Sequence, residues 1–229
     1  MKSYGQFCPI AKAAELFCER WTALVIRNIA VGAHRFSEIQ RGVPLMSATL
    51  LSQRLKLLEA EGAVERGGTG KRATYHLTEA GQEFLPMVFA LGQWGQRWTR
   101  RQLEAGEVDL GLLIWGLEFS VNPSVFGPGR VTIELEFTDQ PAHKAKFWFV
   151  NEDGTLDLCV TDPGHEVDIW LAATLVDVTY LYNGDLTLAA ALRNGRLELT
   201  GPPALTRKLL DWFNFSPLTE VEPVSVARG

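Results

Sequence analysis

Residues 46–59 predict a helix with two chemically different faces. The leucines of the first face recur at the i, i+4, i+7 spacing of a buried stripe, namely Leu51, Leu55 and Leu58. Ser47 is a good N-cap for this helix, and Gly62 is a good stop signal. The second stripe holds only neutral or cationic side chains: Thr49, Ser52, Gln53 and Lys56. The chain must therefore anchor this helix on a core while keeping a carboxylate-free face outward.

The carboxylate-free face has the chemistry that double-stranded DNA accepts. Hydrogen-bonding side chains of moderate length contact base edges and phosphates, and the major groove is wide enough for a helix. The alternative is an ordinary solvated helix face, although such faces usually include Asp or Glu. We therefore expect DNA contacts from one set of residues in this region: Ser47, Thr49, Ser52, Gln53 and Lys56.

The following segment predicts a β-hairpin with a basic tip. Residues 63–66 and 72–77 are strand-like, and the glycine-rich stretch 67–71 joins them. Lys71 and Arg72 at the tip are expected along the adjacent DNA backbone or minor groove. Helices predicted at 9–18, 20–30 and 36–40 precede the two-faced helix, so the order is that of a winged helix. A nucleotide-binding P-loop is excluded because residue 65 is not Gly and residue 72 is not Ser or Thr.

A long helix is predicted from the cap residue Thr78 to about residue 103. Apolar and small residues follow a 4-3-4-3 spacing along it: Phe84, Val88, Leu91, Gly95 and Trp98. This seam is suited to a partner helix, with a glycine allowing close approach. The alternative is packing onto the same domain, although Trp94 and Trp98 near the helix end both need cover.

Residues 7–98 resemble the HxlR-type winged helix-turn-helix regulators. The matching pieces are Cys8-Pro9, Trp21, Arg35-Phe36-Ser37-Glu38-Ile39, Met46-Ser47, Leu51-Ser52-Gln53-Arg54-Leu55, Leu58-Glu59-Ala60-Glu61-Gly62, Tyr75-His76-Leu77-Thr78-Glu79 with Gly81, and Trp94-Gly95. The resemblance implies a homodimer whose two recognition helices read a pseudo-palindrome. One departure is the wing at 67–72, which is shorter than is usual in that family.

Cys8 is a candidate redox sensor. Some members of the HxlR-type family use a cysteine at this position to sense oxidants or electrophiles. A helix start at Pro9 would also favour the Cys8 thiolate through the helix dipole. The alternative is that Cys8 is a small buried hydrophobic residue.

Charge divides the chain into two expected domains. Residues 1–108 carry 14 Lys and Arg against 10 Asp and Glu, whereas residues 109–229 carry 8 against 17. A basic first half can approach phosphates, and an acidic second half is repelled by them. We place the DNA-binding and dimerisation domain at 1–104 and a second domain at 110–222. The three cysteines favour a reducing cytoplasm, and no apolar stretch is long enough to span a bilayer.

The acidic half predicts an α+β domain, an antiparallel sheet with helices on one side. Strands are expected at 130–137, 144–150, 156–160, 167–171 and 196–200. Helices are expected at about 173–182, 186–192 and from residue 203 onward.

Three stretches of this half resemble the sterol-carrier-protein-like fold. They are residues 167–175, residues 178–191 with Asn183-Gly184-Asp185, and residues 194–201 leading into 205–213. The resemblance implies a fatty acyl or other hydrophobic ligand in an apolar tunnel between sheet and helices. The candidate lining is aromatic: Trp148, Phe149, Trp170, Trp212 and Phe213. The alternative is that these side chains only fill the core.

The sequence carries no recognisable catalytic motif. Nucleophile-elbow, zinc-protease and Cys-x-x-Cys patterns are absent, and the four histidines lack metal-ligand spacing. His165, Glu166 and Asp168 could form an acid–base cluster, but a solvated loop explains them better. We predict a protein that is not an enzyme and has no catalytic residue, metal or cofactor.

Three functions remain open from the sequence. The leading hypothesis is a DNA-binding transcription regulator that responds to a hydrophobic small molecule bound by the second domain. The second is a lipid or small-molecule carrier whose winged helix serves only dimerisation. The third is a regulator whose second domain only dimerises or docks a partner.

Overall fold

The computed structural model describes residues 3–99, 107–213 and 217–221. The chain forms two compact units, residues 1–99 and residues 100–229. The predicted domain limits at 104 and 222 lie outside the described residues, as does the predicted end of the long helix near residue 103. No helix in the described ranges is both long enough and apolar enough to cross a membrane.

Unit 1 is a helical domain with one β-hairpin. Its elements are α1 (Pro9–Phe17), α2 (Thr22–Ala30), α3 (Phe36–Arg41), α4 (Ala48–Ala60), β1 (Val64–Gly67), β2 (Thr74–Leu77) and α5 (Glu79–Trp98). The core forms from the apolar faces of α2, α3 and α4: Val25, Ile26, Ile29, Ile39, Leu51, Leu55 and Leu58. This is the predicted order of three helices, a two-faced helix and a hairpin.

The turn between α1 and α2 is longer than predicted. Trp21 precedes α2 with φ 79°, in the left-handed region that bulky side chains rarely adopt. The guanidinium carbon of Arg20 lies 4.8 Å from the centroid of the Trp21 ring. The helix predicted from residue 20 therefore begins only at Thr22, because the backbone reverses first.

The hairpin pairs in register from Val64 opposite Leu77 to Gly67 opposite Thr74. Residues Gly70–Arg72 form a short 3₁₀ turn at its tip, so Arg72 is not in the predicted second strand. Arg35 forms a β-bridge with Thr74 on the other side of the second strand. The end of the second strand nearest the hairpin tip is thus fixed to the segment that leads into α3.

The long helix α5 begins at the predicted cap, where the Thr78 hydroxyl accepts a hydrogen bond from the Gly81 amide at 3.2 Å. Gly81 is required here because a Cβ atom would collide with the carbonyl oxygen of Ala63. One turn later, the Phe84 ring stacks on Phe17 of α1 with centroids 3.6 Å apart. Phe84, the first residue of the predicted seam, therefore packs within unit 1.

Unit 2 is an α+β domain. Its helices are α6 (Leu110–Ser120), α7 (Leu175–Asn183), α8 (Leu188–Arg193), α9 (Pro203–Thr206) and α10 (Leu209–Trp212). Its strands are β3 (Arg130–Phe137), β4 (Lys146–Glu152), β5 (Thr155–Cys159), β6 (Ile169–Ala173) and β7 (Leu197–Thr200). The single helix predicted after residue 203 is two short helices.

The five strands form one sheet in the order β5-β4-β3-β6-β7. The pairings β3–β4, β4–β5 and β6–β7 are antiparallel, but β3 and β6 run parallel, with Ile133 opposite Ile169. The prediction of an antiparallel sheet was therefore wrong, and the sheet is mixed. The chain leaves the edge strand β5 and returns on the far side of β3, and alternation within a strand carries no information about that crossover.

The core of unit 2 lies between one face of this sheet and the helices. It includes side chains from the centre of the sheet and from four helices: Ile133, Leu135, Phe149, Ile169, Leu171, Leu113, Leu117, Val178, Leu181, Ala191, Leu209 and Trp212. Helix α6, which was not predicted from the sequence, is apolar except for Glu118 and Ser120 near its end, and five consecutive residues from Leu113 to Leu117 are buried. A Cβ atom at Gly116 would meet the ring of Tyr182, so α6 and α7 pack closely.

Candidate nucleic-acid interface

Helix α4 has the two faces that its sequence predicts. Leu51, Leu55 and Leu58 are fully buried. Ser47 caps the helix, since its hydroxyl accepts a hydrogen bond from the Leu50 amide at 3.2 Å. Because the cap and the leucines are both in place, α4 is anchored on unit 1 at its start and along its length.

The predicted DNA-contacting residues of α4 lie on the outer side of the helix. Ser47, Thr49, Gln53 and Lys56 are exposed, and Ser52 is half-buried. Their hydroxyl, amide and ammonium groups provide donors for base edges and phosphates, and no acidic side chain stands among them. All five residues are therefore accessible from outside unit 1, Ser52 only in part.

The hairpin tip provides the second predicted contact. The Arg72 side chain is exposed. Lys71 lies in the same 3₁₀ turn, but its side chain lies outside the described part of the structure. Gly68 and Gly70 both adopt positive φ values, which allow the chain to reverse between the two strands.

Side chains of α2 donate hydrogen bonds to α3 and to the start of the turn before α4. The Asn28 amide donates to the Ile39 carbonyl at 3.1 Å, and Arg27 donates to the Gly42 carbonyl at 3.2 Å. The Gln40 amide donates to the Met46 carbonyl just before α4 begins. These bonds connect α2 to α3, and α3 to the turn that leads into α4.

Sequence reasoning missed one ion pair on α4. Nη2 of Arg54 lies 3.1 Å from Oε2 of Glu19, in the turn between α1 and α2. The Arg54 side chain is only 9% exposed, whereas that of Glu19 is 40% exposed. Arg54 falls between the leucine stripe and the polar stripe, so helical spacing alone did not assign it to either face.

Large apolar side chains are exposed on the two terminal helices of unit 1. Helix α5 exposes Met87, Phe89, Leu91, Trp94 and Trp98, and the α1 region exposes Tyr4, Phe7 and Ile10. Soluble monomers rarely leave such a set uncovered. Two members of the predicted seam, Leu91 and Trp98, belong to it.

Cys8 occupies the N-cap position of α1 and is half-buried. Glu15 on α1 accepts hydrogen bonds from the Ser3 hydroxyl and the Tyr4 amide, each at 2.8 Å. These bonds lower the pKa of Glu15 and hold the segment before Cys8 against the helix. The structure places the thiol at the helix start, and no disulfide joins Cys8, Cys18 or Cys159.

The predicted ligand-lining residues of unit 2 divide between the two faces of the sheet. Phe149, Trp212 and Phe213 belong to the core between sheet and helices. Trp148 and Trp170 alternate to the opposite face, where each is paired in register with Glu134. Trp148 is buried there and Trp170 is 44% exposed. The structure therefore does not bring the five aromatic side chains into one cavity.

The three core aromatics are packed against one another. Trp212 meets Phe149 at a centroid distance of 5.3 Å and Phe213 at 4.9 Å, both edge to face. The Trp212 indole also donates a hydrogen bond to Asn151. These contacts give the three side chains a core-filling role.

A carboxylate lies between the two tryptophans on the opposite face. Glu134 accepts hydrogen bonds from Lys146 at 2.6 Å and from the Trp148 indole at 3.1 Å. The bond to Glu134 is the largest cause that raises the pKa of Lys146 above its ordinary value. Both carboxylate oxygens of Glu134 thus accept hydrogen bonds from side chains of the neighbouring strand β4.

The acid–base cluster considered near His165 does not form a site. His165 lies 3.4 Å from Arg130, and the Asp168 carboxylate accepts the Thr132 amide at 2.9 Å. Across the part of the chain that the structure describes, no group of three or more His, Cys, Asp or Glu residues could hold a metal ion.

Unit 1 is similar to known regulators. The HxlR-like helix-turn-helix family matches residues 16–103. The uncharacterized HTH-type transcriptional regulator YvaP of Bacillus subtilis is 37% identical over 98 residues, which cover 41% of this chain and 91% of that protein. An uncharacterized HTH-type transcriptional regulator of Methanothermobacter thermautotrophicus is 32% identical over 103 residues, 44% of this chain and 79% of that protein.

Among solved structures, the reduced form of the transcriptional regulator YodB from B. subtilis aligns with 32% identity and a TM-score of 0.35. The alignment covers 40% of this chain and 93% of YodB. On the sequence match to residues 16–103 and to nearly the whole length of YvaP, the chain belongs to the HxlR-like helix-turn-helix family of transcription regulators.

Proposed function

We propose that this protein binds double-stranded DNA as a homodimer and that a hydrophobic ligand in unit 2 controls the binding. The observation that carries the DNA-binding part is the exposed face of α4 over residues 47–56, which holds no carboxylate and is anchored on the core by the Ser47 cap and the leucines. In this proposal the protein acts in the cytoplasm, where its three free thiols stay reduced.

The residues of the interface divide into two roles. Thr49, Ser52 and Gln53 point their short polar groups to base edges in the major groove. Lys56 contacts a phosphate, and Ser47 can do so from the start of the helix. Lys71 and Arg72 at the hairpin tip reach the flanking backbone or minor groove.

The homodimer forms through the terminal helices of unit 1. Support comes from the exposed apolar side chains of α1 and α5, which a second copy would cover. A two-fold axis would present two α4 helices to successive major grooves, so half-sites should be centred about 10 bp apart, or a multiple of that.

Unit 2 is proposed to take a fatty acyl or similar apolar ligand on the helix side of the sheet. Support comes from the largely apolar helix α6 and from the core around Phe149, Trp212 and Phe213. Because these aromatics already fill the space, a ligand must displace the short helices α9 and α10. That displacement is the conformational difference through which the ligand would act.

Selection of duplexes from a random pool, followed by footprinting, tests the DNA-binding proposal. We expect a two-fold symmetric footprint and affinity that falls steeply with salt. Failure to enrich any sequence at low salt would refute it.

Native mass spectrometry of freshly purified protein tests the remaining parts. A dimer mass with an added lipid-sized mass supports both the homodimer and the ligand. A ligand-bearing protein that binds no DNA would support the alternative, a lipid carrier whose winged helix serves dimerisation. A dimer without bound ligand that does bind DNA would instead make unit 2 a docking or dimerisation module.

Oxidant sensing by Cys8 is a separate hypothesis, based on its position at the start of α1. Cys8→Ser should then abolish release from DNA by a quinone or hypochlorite. Cys18→Ser is the matched control, and equal release from wild type and Cys8→Ser would discard the hypothesis.

A further inference from the structure

Arg54 is the one charged residue among the four that helix α4 buries; the other three are leucines. Its Nη2 atom is 3.1 Å from Oε2 of Glu19, and its Nε atom is buried without a hydrogen-bond partner among the described residues. The Arg54 side chain points toward the turn between α1 and α2, away from the outer face of α4. A cation is therefore directed inward from the helix that faces DNA.

Such a pair is a poor source of stability. Removing a guanidinium from water is costly, and replacing buried ion pairs with apolar side chains of similar size is often neutral or stabilising. The unpartnered Nε of Arg54 adds to that cost. The leucines Leu51, Leu55 and Leu58 already hold α4 on the core, so the pair must contribute something other than adhesion.

The pair of Arg54 and Glu19 restricts the rotation of α4 about its own axis. Contact between leucines is non-directional, so it tolerates small rotations of a helix about its own axis. An arginine–carboxylate hydrogen bond has a preferred geometry, so it resists such rotations. Arg54 neighbours Gln53 on α4, and any rotation that breaks the bond to Glu19 also moves the Gln53 side chain.

The turn that carries Glu19 has a defined shape. The Thr22 amide donates to the Glu19 carbonyl at 3.1 Å, and the Val25 amide donates to the Trp21 carbonyl at 2.9 Å. Trp21 has φ 79°, and the Arg20 guanidinium covers its ring. A non-glycine residue persists in this backbone region only where its surroundings determine it. The backbone at Glu19 is therefore held in a defined position.

We propose that Arg54 and Glu19 are positioning residues, which set the rotation of α4 so that Thr49 and Gln53 meet base edges. This inference rests on the proposed function, since it presumes that α4 reads DNA. Arg54 itself contacts neither base nor phosphate, because Glu19 neutralises its charge on the inner side of the helix.

The test compares wild type with Arg54→Met, Glu19→Gln and the double variant. The probes are the duplex that wild type selects from a random pool and a scrambled duplex of the same length. We expect Arg54→Met to unfold at the same urea concentration as wild type, or a higher one. Its affinity for the selected duplex should fall about tenfold, the scale of one misdirected base contact. Affinity for the scrambled duplex and the salt slope should not change.

Glu19→Gln keeps an acceptor oxygen in place and alters a partly exposed residue, so it tests the proposal even if Arg54→Met fails to fold. It should reduce discrimination between the two duplexes, and the double variant should bind like Arg54→Met alone. The control Glu59→Gln removes an exposed carboxylate of α4 and should preserve discrimination.

Three results would overturn the proposal. If Glu19→Gln, or a folded Arg54→Met, discriminates between the two duplexes as well as wild type does, the pair does not position α4. A salt slope shallower by about 1 in Arg54→Met would show a phosphate contact instead. Tighter binding of both duplexes by Glu19→Gln would show that Glu19 only withholds Arg54 from DNA. Failure of wild type to select any duplex refutes the proposed function itself, before any variant is compared.

Discussion

The Trp212 indole donates a hydrogen bond to Oδ1 of Asn151 over 2.7 Å, inside the core of unit 2. The Asn151 amide nitrogen donates in turn to the carbonyls of Val131 and Phe149, each at 3.1 Å. The amide oxygen and the amide nitrogen of the buried Asn151 side chain are thus both hydrogen-bonded. The network joins α10 to β3 and β4, so it decides how the last helix is seated on the sheet.

Replacing Trp212 with Phe should lower the free energy of unfolding by about 1–3 kcal/mol, because Oδ1 of Asn151 loses this donor while it stays buried. Trp170→Phe is the matched control. It changes a tryptophan that is 44% exposed and should stay within about 0.5 kcal/mol of wild type. Urea unfolding measures both, and equal stabilities of the two variants would contradict the role of the bond.

Ser47→Ala should lower the stability of unit 1 by about 1 kcal/mol, because the Leu50 amide loses its capping acceptor. Thr49→Ala, two residues later on the exposed face, should leave stability unchanged or slightly higher, since Ala favours the helix interior. Thermal unfolding separates the two variants. An Ser47→Ala protein as stable as wild type would show that the cap is dispensable.

Lys56→Ala should weaken binding to every duplex alike and make the salt slope shallower by about 1, the effect of losing one phosphate contact. Gln53→Ala should instead relax the base preference at one position of the site and leave the slope unchanged. Fluorescence anisotropy at several salt concentrations measures the slopes. Identical behaviour of the two variants would refute the division of roles along α4.

Leu91→Glu should convert the proposed dimer into monomers, because Leu91 is 59% exposed and a charge cannot be buried there unpaired. Gln93→Glu adds the same charge to an exposed polar position of α5 and should leave the dimer intact. Analytical ultracentrifugation measures the oligomeric state of both variants. A dimeric Leu91→Glu would move the interface away from this part of α5.

The stabilisation that Lys146 provides should disappear at high pH. Its folded-state pKa is raised, chiefly by the hydrogen bond to Glu134. A raised pKa stabilises the fold fully below the ordinary value of 10.5 and loses the effect as pH rises through the folded value. The stability difference between wild type and Glu134→Gln should therefore shrink above pH 10.5.

Urea titrations across that pH range measure this difference. Glu136→Gln is the control, because its bond to Lys146 is the weaker cause of the raised pKa. A difference between wild type and Glu134→Gln that stays constant with pH would contradict the linkage.

Much of unit 1 could be predicted because its signals are local. The Ser47 cap, the leucine spacing of α4 and the glycines of the hairpin each act within a few residues. The left-handed Trp21 escaped prediction because its backbone is imposed by packing. The pair Arg54–Glu19 escaped because it joins residues far apart in the chain, which no periodicity records.

In unit 2, alternation located the strands but not their neighbours. Consecutive residues of a strand face opposite sides of a sheet, so Trp148 and Phe149 could not both line one tunnel, but alternation could not show which of them faces the helices. Helix α6 was missed because nearly all of its residues are apolar, which leaves no clear amphipathic period to detect. Both failures concern tertiary context.

The parallel pairing of β3 with β6 affects how unit 2 folds while it is being synthesised. While the ribosome is still making the segment before Ile169, the central strand β3 has β4 on one side and open backbone groups on the other. An open strand edge invites pairing with other nascent chains. A truncated chain that ends before β6 should therefore aggregate. Slower translation of the codons before β6 should increase the fraction of protein that aggregates.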